Sequence, residues 1–151
     1  MTVLATAPRI VLDTNVCLDL LRFGDPRTTT LRAALEGGHV VAVTDDECRD
    51  EWLRVLTYPL LRLDETSRDA MVAAFDALVR PLSPAMRRTE AALPRCRDPD
   101  DQKFLQLAHA SNARWLLSRD RHLLSLAKRC RREGWFEITT PEDWAGSDRS
   151  L

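Results

Sequence analysis

The feature that most constrains the fold is a short apolar run, residues 10–12, that ends abruptly at Asp13. Buried strands of parallel sheets have this near-continuous apolar character, because helices cover both faces of the sheet. Residues 115–118 repeat the arrangement, with Ser118 closing the run and Asp120 two residues later. Open α/β sheets bind their ligands at the carboxyl ends of the strands. The two runs therefore predict that Asp13 and Asp120 share one edge of a parallel sheet.

Strand-like and helix-like segments alternate along the whole chain. The predicted strands are residues 10–12, 39–43, 79–82, 115–118 and 135–139, and the third is placed at a sheet edge because it contains Pro81. The predicted helices are residues 16–21, 27–35, about 46–56, 67–78, 101–110 and 122–132, with an irregular segment at 83–100. This alternation is typical of an α/β protein, here a three-layer α/β/α sandwich with a mainly parallel central sheet. The length of 151 residues predicts a single domain, 1–151, with a core of about 9–140.

Composition narrows the functional class only modestly. The formal net charge of -1 gives no overall basic field, which is a mild argument against a nucleic-acid partner but does not exclude local patches. The four cysteines are widely spaced without a CxxC pair, which argues against a zinc site. Cys17, Cys48 and Cys130 lie in predicted helices and are expected to be small apolar fillers in a reducing compartment. Residues 1–8 lack the features of a signal peptide, and no apolar stretch has membrane-spanning length. We therefore expect a cytoplasmic protein with no membrane partner.

Further acidic residues lie in or before predicted helices. Glu51 lies inside one helix, and Asp98, Asp100 and Asp101 fall within four residues at the start of another. Each acid alone has an ordinary explanation. Glu51 could be a solvated helix acid, alone or beside Arg54, and the others could cap helix N-termini, where carboxylates interact favourably with the helix dipole. Together with Asp13, however, they would repel one another unless a cation were bound. Hard divalent ions with oxygen ligands suit such a cluster better than zinc, so the sequence predicts a Mg²⁺ or Mn²⁺ site.

Four segments in this order resemble the motifs of the PIN-domain ribonucleases, and most closely the bacterial branch of toxins from toxin–antitoxin pairs. The segments are residues 12–15 (LDTN), 50–56 (DEWLRVL), 97–105 (RDPDDQKFL) and 117–124 (LSRDRHLL). The resemblance extends over about residues 9–140. Gln102 departs from it mildly, since Asn is common at that position in the toxin branch.

The resemblance implies a catalytic and metal-binding quartet with supporting polar residues. Asp13 would be the central metal ligand, Asp101 and Asp120 would complete the coordination directly or through water, and Glu51 would position water or a second ion. Asn15 and Ser118 would orient the carboxylates. The third acid of the quartet stays open at this point, because Asp98 and Asp100 compete with Asp101 for the role.

The activity that the resemblance implies is endonucleolytic hydrolysis of RNA phosphodiester bonds with Mg²⁺ or Mn²⁺ as cofactor. Arg119 and Arg121 flank the predicted site and are candidates for contacts to RNA phosphates. The implied partners are the RNA substrate, a cognate antitoxin protein and a second copy of the chain in a homodimer.

Three other classes share parts of this pattern. A Mg²⁺-dependent phosphatase that forms an aspartyl-phosphate would need a second Asp where Asn15 stands, and Thr or Val where Cys17 stands. A receiver domain would need paired acids after the first strand and a Lys after its last strand. The third alternative is a PIN-fold binding module that is catalytically silent, against which the presence of all four acids argues.

Local patterns make some finer predictions. If the helix after the acidic cluster begins near Asp100, then Asp98 caps it, Pro99 lies at its first position, and Asp101 points from the first turn toward the strand ends. His39 is expected to begin the second strand. Trp144 is a candidate for a partner surface.

Overall fold

The computed structural model describes residues 7–82 and 93–146. Residues 83–92, which belong to the segment predicted to be irregular, lie outside the described part. The strands are β1 (Arg9–Leu12), β2 (Val41–Thr44), β3 (Val79–Pro81), β4 (Trp115–Leu117) and β5 (Glu137–Thr139). The helices are α1 (Thr14–Leu21), α2 (Thr29–Glu36), α3 (Asp46–Val55), α4 (Glu65–Leu78), α5 (Gln102–Ala110), α6 (Arg121–Leu124), α7 (Ala127–Arg132) and α8 (Pro141–Gly146). Short 3-10 turns cover Pro26–Thr28, Pro59–Leu61 and Pro99–Asp101.

All five strands form one sheet in the order β3-β2-β1-β4-β5, and every neighbouring pair is parallel. The central strand β1 pairs with β2 on one side and with β4 on the other, through registers such as Leu12 opposite Leu117. The chain therefore leaves β1 in one direction for β2 and β3, and returns on the other side for β4 and β5. Ligands of open α/β sheets bind where the strand order reverses in this way. In this molecule that place is the carboxyl edge between β1 and β4.

Helices cover both faces of the sheet, so the molecule has the three layers that the sequence predicts. Alternate strand residues point to opposite faces. Ile10 and Leu12 pack with Trp52, Phe75 and other residues of the first hydrophobic cluster, which joins the sheet to α1, α2, α3, α4 and α8. Val11 belongs to a second cluster on the other face, which joins the sheet to α5, α6 and α7. The α/β class and the mainly parallel sheet are thus confirmed, and the sheet is entirely parallel.

Three predicted elements differ from the structure. The second strand begins at Val41, so His39 precedes it and is exposed. The fifth strand begins at Glu137, so Trp135 precedes it. The predicted helix at 122–132 is two helices, because the chain turns at Ser125 and Leu126 between α6 and α7. The hydroxyl of Ser125 donates to the carbonyl oxygen of His122 at 2.7 Å, a local bond that competes with continuation of a helix.

The structure also corrects the prediction for Trp144. This side chain is 1% exposed, and its ring meets that of Trp115 edge to face at 5.7 Å. It is therefore a core residue and not part of a partner surface.

All four cysteines are buried and free, which confirms the predicted burial of Cys17, Cys48 and Cys130. Among the residues that the structure describes, every helix is too short or too polar to cross a membrane.

Candidate functional site

Asp13 lies at the carboxyl end of β1 and is 4% exposed. Its backbone N–H donates to the carbonyl oxygen of Leu117, so pairing of β1 with β4 continues to this residue. Its Oδ1 accepts from the N–H of Val16 at 2.9 Å and caps α1. Its Oδ2 accepts from the hydroxyl of Ser118 at 2.5 Å. The carboxyl group is therefore a helix cap that is also fixed at the centre of the sheet edge.

Ser118 joins Asp13 to Asp120 across the two central strands. The Ser118 side chain is fully buried, and its Oγ accepts from the N–H of Asp120 at 2.9 Å while donating to Asp13. The Oδ1 of Asp120 accepts from the N–H of His122 at 2.7 Å and so caps α6. The structure thus brings together the two strand-end acids and the supporting serine that the sequence predicts.

Asp101 lies immediately before α5, but its side chain makes no capping hydrogen bond. Its Oδ2 is buried and has no hydrogen-bond partner in the described part of the chain. A buried polar atom without a partner is costly and calls for an explanation. Asp101 interacts electrostatically with Asp120 and with Asp13. Its carboxyl group therefore belongs to the acidic cluster and does not stabilise its own helix.

The two competing acids have other positions. Asp98 accepts from the N–H of Asp100 at 3.0 Å and caps the 3-10 turn that begins at Pro99. Asp100 is exposed, and its carbonyl oxygen accepts from Lys103 Nζ. The predicted cap at Asp98 and the predicted position of Pro99 agree with this geometry, which favours Asp101 as the third acid of the cluster.

Glu51 reaches the cluster from α3 and has two partners that the sequence analysis missed. Thr14 donates its hydroxyl proton to Oε2 of Glu51. Lys103 places its Nζ 2.6 Å from Oε1 of Glu51, with only 11% of the Lys103 side chain and 17% of the Glu51 side chain exposed. Thr14 directly follows Asp13, and Lys103 lies two residues after Asp101, so their closeness to the acids along the chain was the available signal.

The remaining predicted site residues lie at the rim. Asn15 and Arg121 are exposed. The Arg119 side chain is 20% exposed and forms two ion pairs, with Nε 2.8 Å from Asp19 Oδ2 and Nη1 2.5 Å from Glu142 Oε1. Arg121 is thus open to solvent, whereas Arg119 is already paired.

The acidic cluster raises the pKa of two of its members. Burial raises the pKa of Asp13 to about 6, and the charges of Asp120 and Glu51 add to this, although the hydrogen bonds from Ser118 and Val16 oppose it. Burial also raises the pKa of Asp101 to about 7, and the adjacent carboxylate of Asp120 raises it further. The cluster therefore holds more negative charge than the protein alone compensates.

We expect the metal-free protein to lose stability as the pH rises from about 4 to about 8. Asp13 and Asp101 have a pKa above the unfolded value of about 3.9, so the folded state binds more protons than the unfolded state in this window. The free energy of unfolding should fall by about 3 kcal/mol from Asp13 alone, and the decline should level off above about pH 8, once Asp101 is also deprotonated. Chemical denaturation in EDTA at a series of pH values measures this. A flat profile, or one that rises with pH, would contradict the raised pKa values.

The donor set of this edge fits a hard divalent cation. Its groups are carboxylate oxygens, one of which, Asp101 Oδ2, is buried and has no hydrogen-bond partner in the described part of the chain. Within residues 7–82 and 93–146, no three or more His, Cys, Asp or Glu side chains are already placed as a metal site. An ion would therefore have to draw the carboxylates Asp13, Asp101 and Asp120 closer together.

Comparison with known proteins agrees with this architecture. The family model described as the PIN domain matches residues 9–122, a span that contains Asp13, Glu51, Asp101 and Asp120. The chain belongs to the PIN-domain family. PIN domains are generally nucleases, so the carboxyl edge between β1 and β4 is the candidate active site of this PIN domain.

One similar solved structure is a chain of VapBC2 from Rickettsia felis, crystallised bound to a DNA fragment from its promoter. The likeness covers 86% of this chain and 96% of that chain, with a TM-score of 0.54 and 13% sequence identity. At this identity the likeness supports the fold alone. No curated protein matches the chain.

Proposed function

We propose that this PIN domain is a Mg²⁺- or Mn²⁺-dependent endoribonuclease that acts as the toxin of a toxin–antitoxin pair. The observation that carries the proposal is the convergence of Asp13, Asp101 and Asp120 at the sheet edge, with Asp101 Oδ2 buried and without a hydrogen-bond partner among the described residues. Membership of the PIN family supports hydrolysis of phosphodiester bonds. The choice of RNA rests on the motif resemblance.

Each acid has a proposed role. Asp13, Asp101 and Asp120 would hold the ion, and Ser118 keeps Asp13 oriented by its hydrogen bond. A bound divalent ion lowers the pKa of water and neutralises charge on the phosphate. Glu51 would orient either the attacking water or a second ion. Asp98 supports the site by capping the turn that carries Asp101. The exposed Asn15 would help to orient the carboxylates, as the motif resemblance implies.

Contacts to the RNA backbone are proposed for the arginines beside the site. Arg121 is exposed at the start of α6 and can reach a phosphate without breaking an ion pair. Arg119 would have to leave Asp19 and Glu142 to do so. Arg121 is therefore the better candidate of the two.

An antitoxin protein and a second copy of the chain are the proposed protein partners. The structural likeness to a VapBC2 complex is consistent with an antitoxin. The described surface also has three exposed large apolar side chains, Phe23, Tyr58 and Leu60, which a partner could cover. We place the pair in the cytoplasm, where its RNA substrate would lie.

The purified protein should cleave single-stranded RNA when Mg²⁺ or Mn²⁺ is added and stop when EDTA is in excess. The reason is that the carboxylates alone supply no positive charge for the scissile phosphate. A gel assay with a 5′-labelled RNA, with and without EDTA, measures this. Cleavage at an equal rate in EDTA would contradict the metal requirement.

A catalytically silent binding module is the second candidate, because Glu51 is already paired with Lys103 and no three acids are preformed as a metal site in the described residues. The same assay separates the two candidates. RNA that is bound but stays intact at saturating Mn²⁺ would favour the silent module over the nuclease.

A further inference from the structure

Lys103 is a partly buried cation beside the candidate active site that the proposed mechanism does not use. Its Nζ lies 2.6 Å from Oε1 of Glu51 and donates to the carbonyl oxygen of Asp100. It also lies 5.2 Å from the centre of the Phe104 ring, within the range of a cation–π contact. These contacts fix the ammonium group at the α3 side of the acidic cluster.

The two sides of the cluster are charged differently as a result. On the α3 side, Glu51 has both carboxylate oxygens engaged, one by Lys103 and one by Thr14. On the other side, Asp101 Oδ2 is buried without a partner, and none of Asp13, Asp101 and Asp120 forms an ion pair in the part of the chain that the structure describes. Positive charge is therefore supplied by the protein on one side only.

We propose that Lys103 takes the place of a second metal ion, so that the site binds a single divalent cation between Asp13, Asp101 and Asp120. An ammonium group in direct contact with Glu51 repels a dication at the same carboxylate, and the partial burial of the pair limits screening by water. Glu51 then stays outside the coordination of the ion. This inference rests on the proposed function, and it decides between the two roles that were open for Glu51 in favour of positioning water.

Lys103 is in this account a positioning residue. It holds Glu51 against Thr14, and it holds the turn that carries Asp101 through the Asp100 carbonyl oxygen. Removing its charge should release Glu51 as a ligand. The number of bound ions is therefore a readout that a purely structural lysine would not change.

The test is a count of ions, made by titrating metal-free protein with Mn²⁺ and following the free ion by electron paramagnetic resonance. The wild type should bind one ion, and Lys103→Met should bind two. Lys128→Met is the matched control, because Lys128 is an exposed lysine of α7 and its loss should leave the count at one. Circular dichroism of each variant verifies that it is folded.

A charge-neutral double variant keeps the test valid if Lys103→Met does not fold. Lys103→Met combined with Glu51→Gln removes the ion pair without changing the net charge. It should still bind one ion, with an affinity reduced by less than about tenfold. Removal of most groups that support a metal site reduces the metal affinity by more than this. An affinity for Mn²⁺ reduced by more than about 100-fold would show that Glu51 is a ligand and would overturn the inference.

The outcomes separate this inference from the function on which it rests. Two ions in the wild type, or one ion in a folded Lys103→Met variant, would overturn the role of Lys103 and leave the metal-dependent nuclease intact. A wild type that binds no Mn²⁺ and leaves RNA uncut would contradict the proposed function, and the inference with it.

Discussion

Asp13→Asn is expected to abolish RNA cleavage and, at the same time, to stabilise the metal-free protein. The substitution keeps the shape of the side chain, and the amide oxygen can still cap α1 at the N–H of Val16. It removes the charge that would hold the metal ion, so cleavage should fall by about 100-fold to 1000-fold or more. The new amide can also donate to Ser118 Oγ, so the contact to β4 is kept.

The gain in stability follows from the raised pKa of Asp13. At about pH 8 the wild-type carboxylate is charged although it is buried beside Asp120 and Glu51, and relief of this charge should contribute up to about 3 kcal/mol. At about pH 4 the wild-type group is protonated in the folded state, so the difference between the two proteins should nearly vanish. Chemical denaturation in EDTA at both pH values, beside the RNA cleavage assay, measures the two effects.

A second capping aspartate provides the matched control. Asp64 caps α4 through the N–H of Ser67 at 2.7 Å, but it lies outside the acidic cluster and its pKa is lowered by this hydrogen bond. Asp64→Asn should therefore leave cleavage unchanged and should not stabilise the protein. If Asp13→Asn behaved as Asp64→Asn does, Asp13 would be a helix cap and nothing more.

The sequence predicts the scaffold of the site because the scaffold depends on local signals. Residues 10–12 and 115–117 are apolar enough to identify central strands, and Asp13 and Ser118 directly follow their ends. The cap at Asp98 depends on a contact two residues away, which a local pattern can indicate. The strand ends converge because the strands are parallel. The location of the site at one edge of the sheet can therefore be predicted without any knowledge of side-chain contacts.

The contacts that the sequence analysis missed join residues that are distant along the chain. Thr14 and Glu51 are 37 positions apart, and Arg119 and Asp19 are 100 positions apart. Whether Arg119 faces solvent or an internal carboxylate is decided by the packing of α1 and α8 around it, and no local pattern reports that. In the sequence Lys103 likewise looks like any lysine of a helix. Its contact with Glu51 depends on the packing of α3 beside α5, which the sequence does not show.

Asp101→Asn and Asp98→Ala are expected to have opposite effects, which tests the assignment of the third acid. Asp101 makes no capping hydrogen bond, and its Oδ2 has no hydrogen-bond partner within residues 7–82 and 93–146. Asp101→Asn should therefore abolish cleavage and weaken Mn²⁺ binding while the melting temperature of the metal-free protein stays near or above that of the wild type. Asp98 caps the turn through the N–H of Asp100, so Asp98→Ala should cost about 1 kcal/mol and still cut RNA.

Calorimetry beside the RNA cleavage assay distinguishes the two roles. A loss of about 1 kcal/mol corresponds to a fall of about 2–4 °C in the melting temperature of a domain of this size. Asp98→Asn is the control, because an asparagine keeps the cap but not the charge, and it should match the wild type in both measurements. If Asp98→Asn lost cleavage while Asp101→Asn kept it, the ligand would be Asp98. The unpartnered Oδ2 of Asp101 would then need another explanation, since capping does not use it.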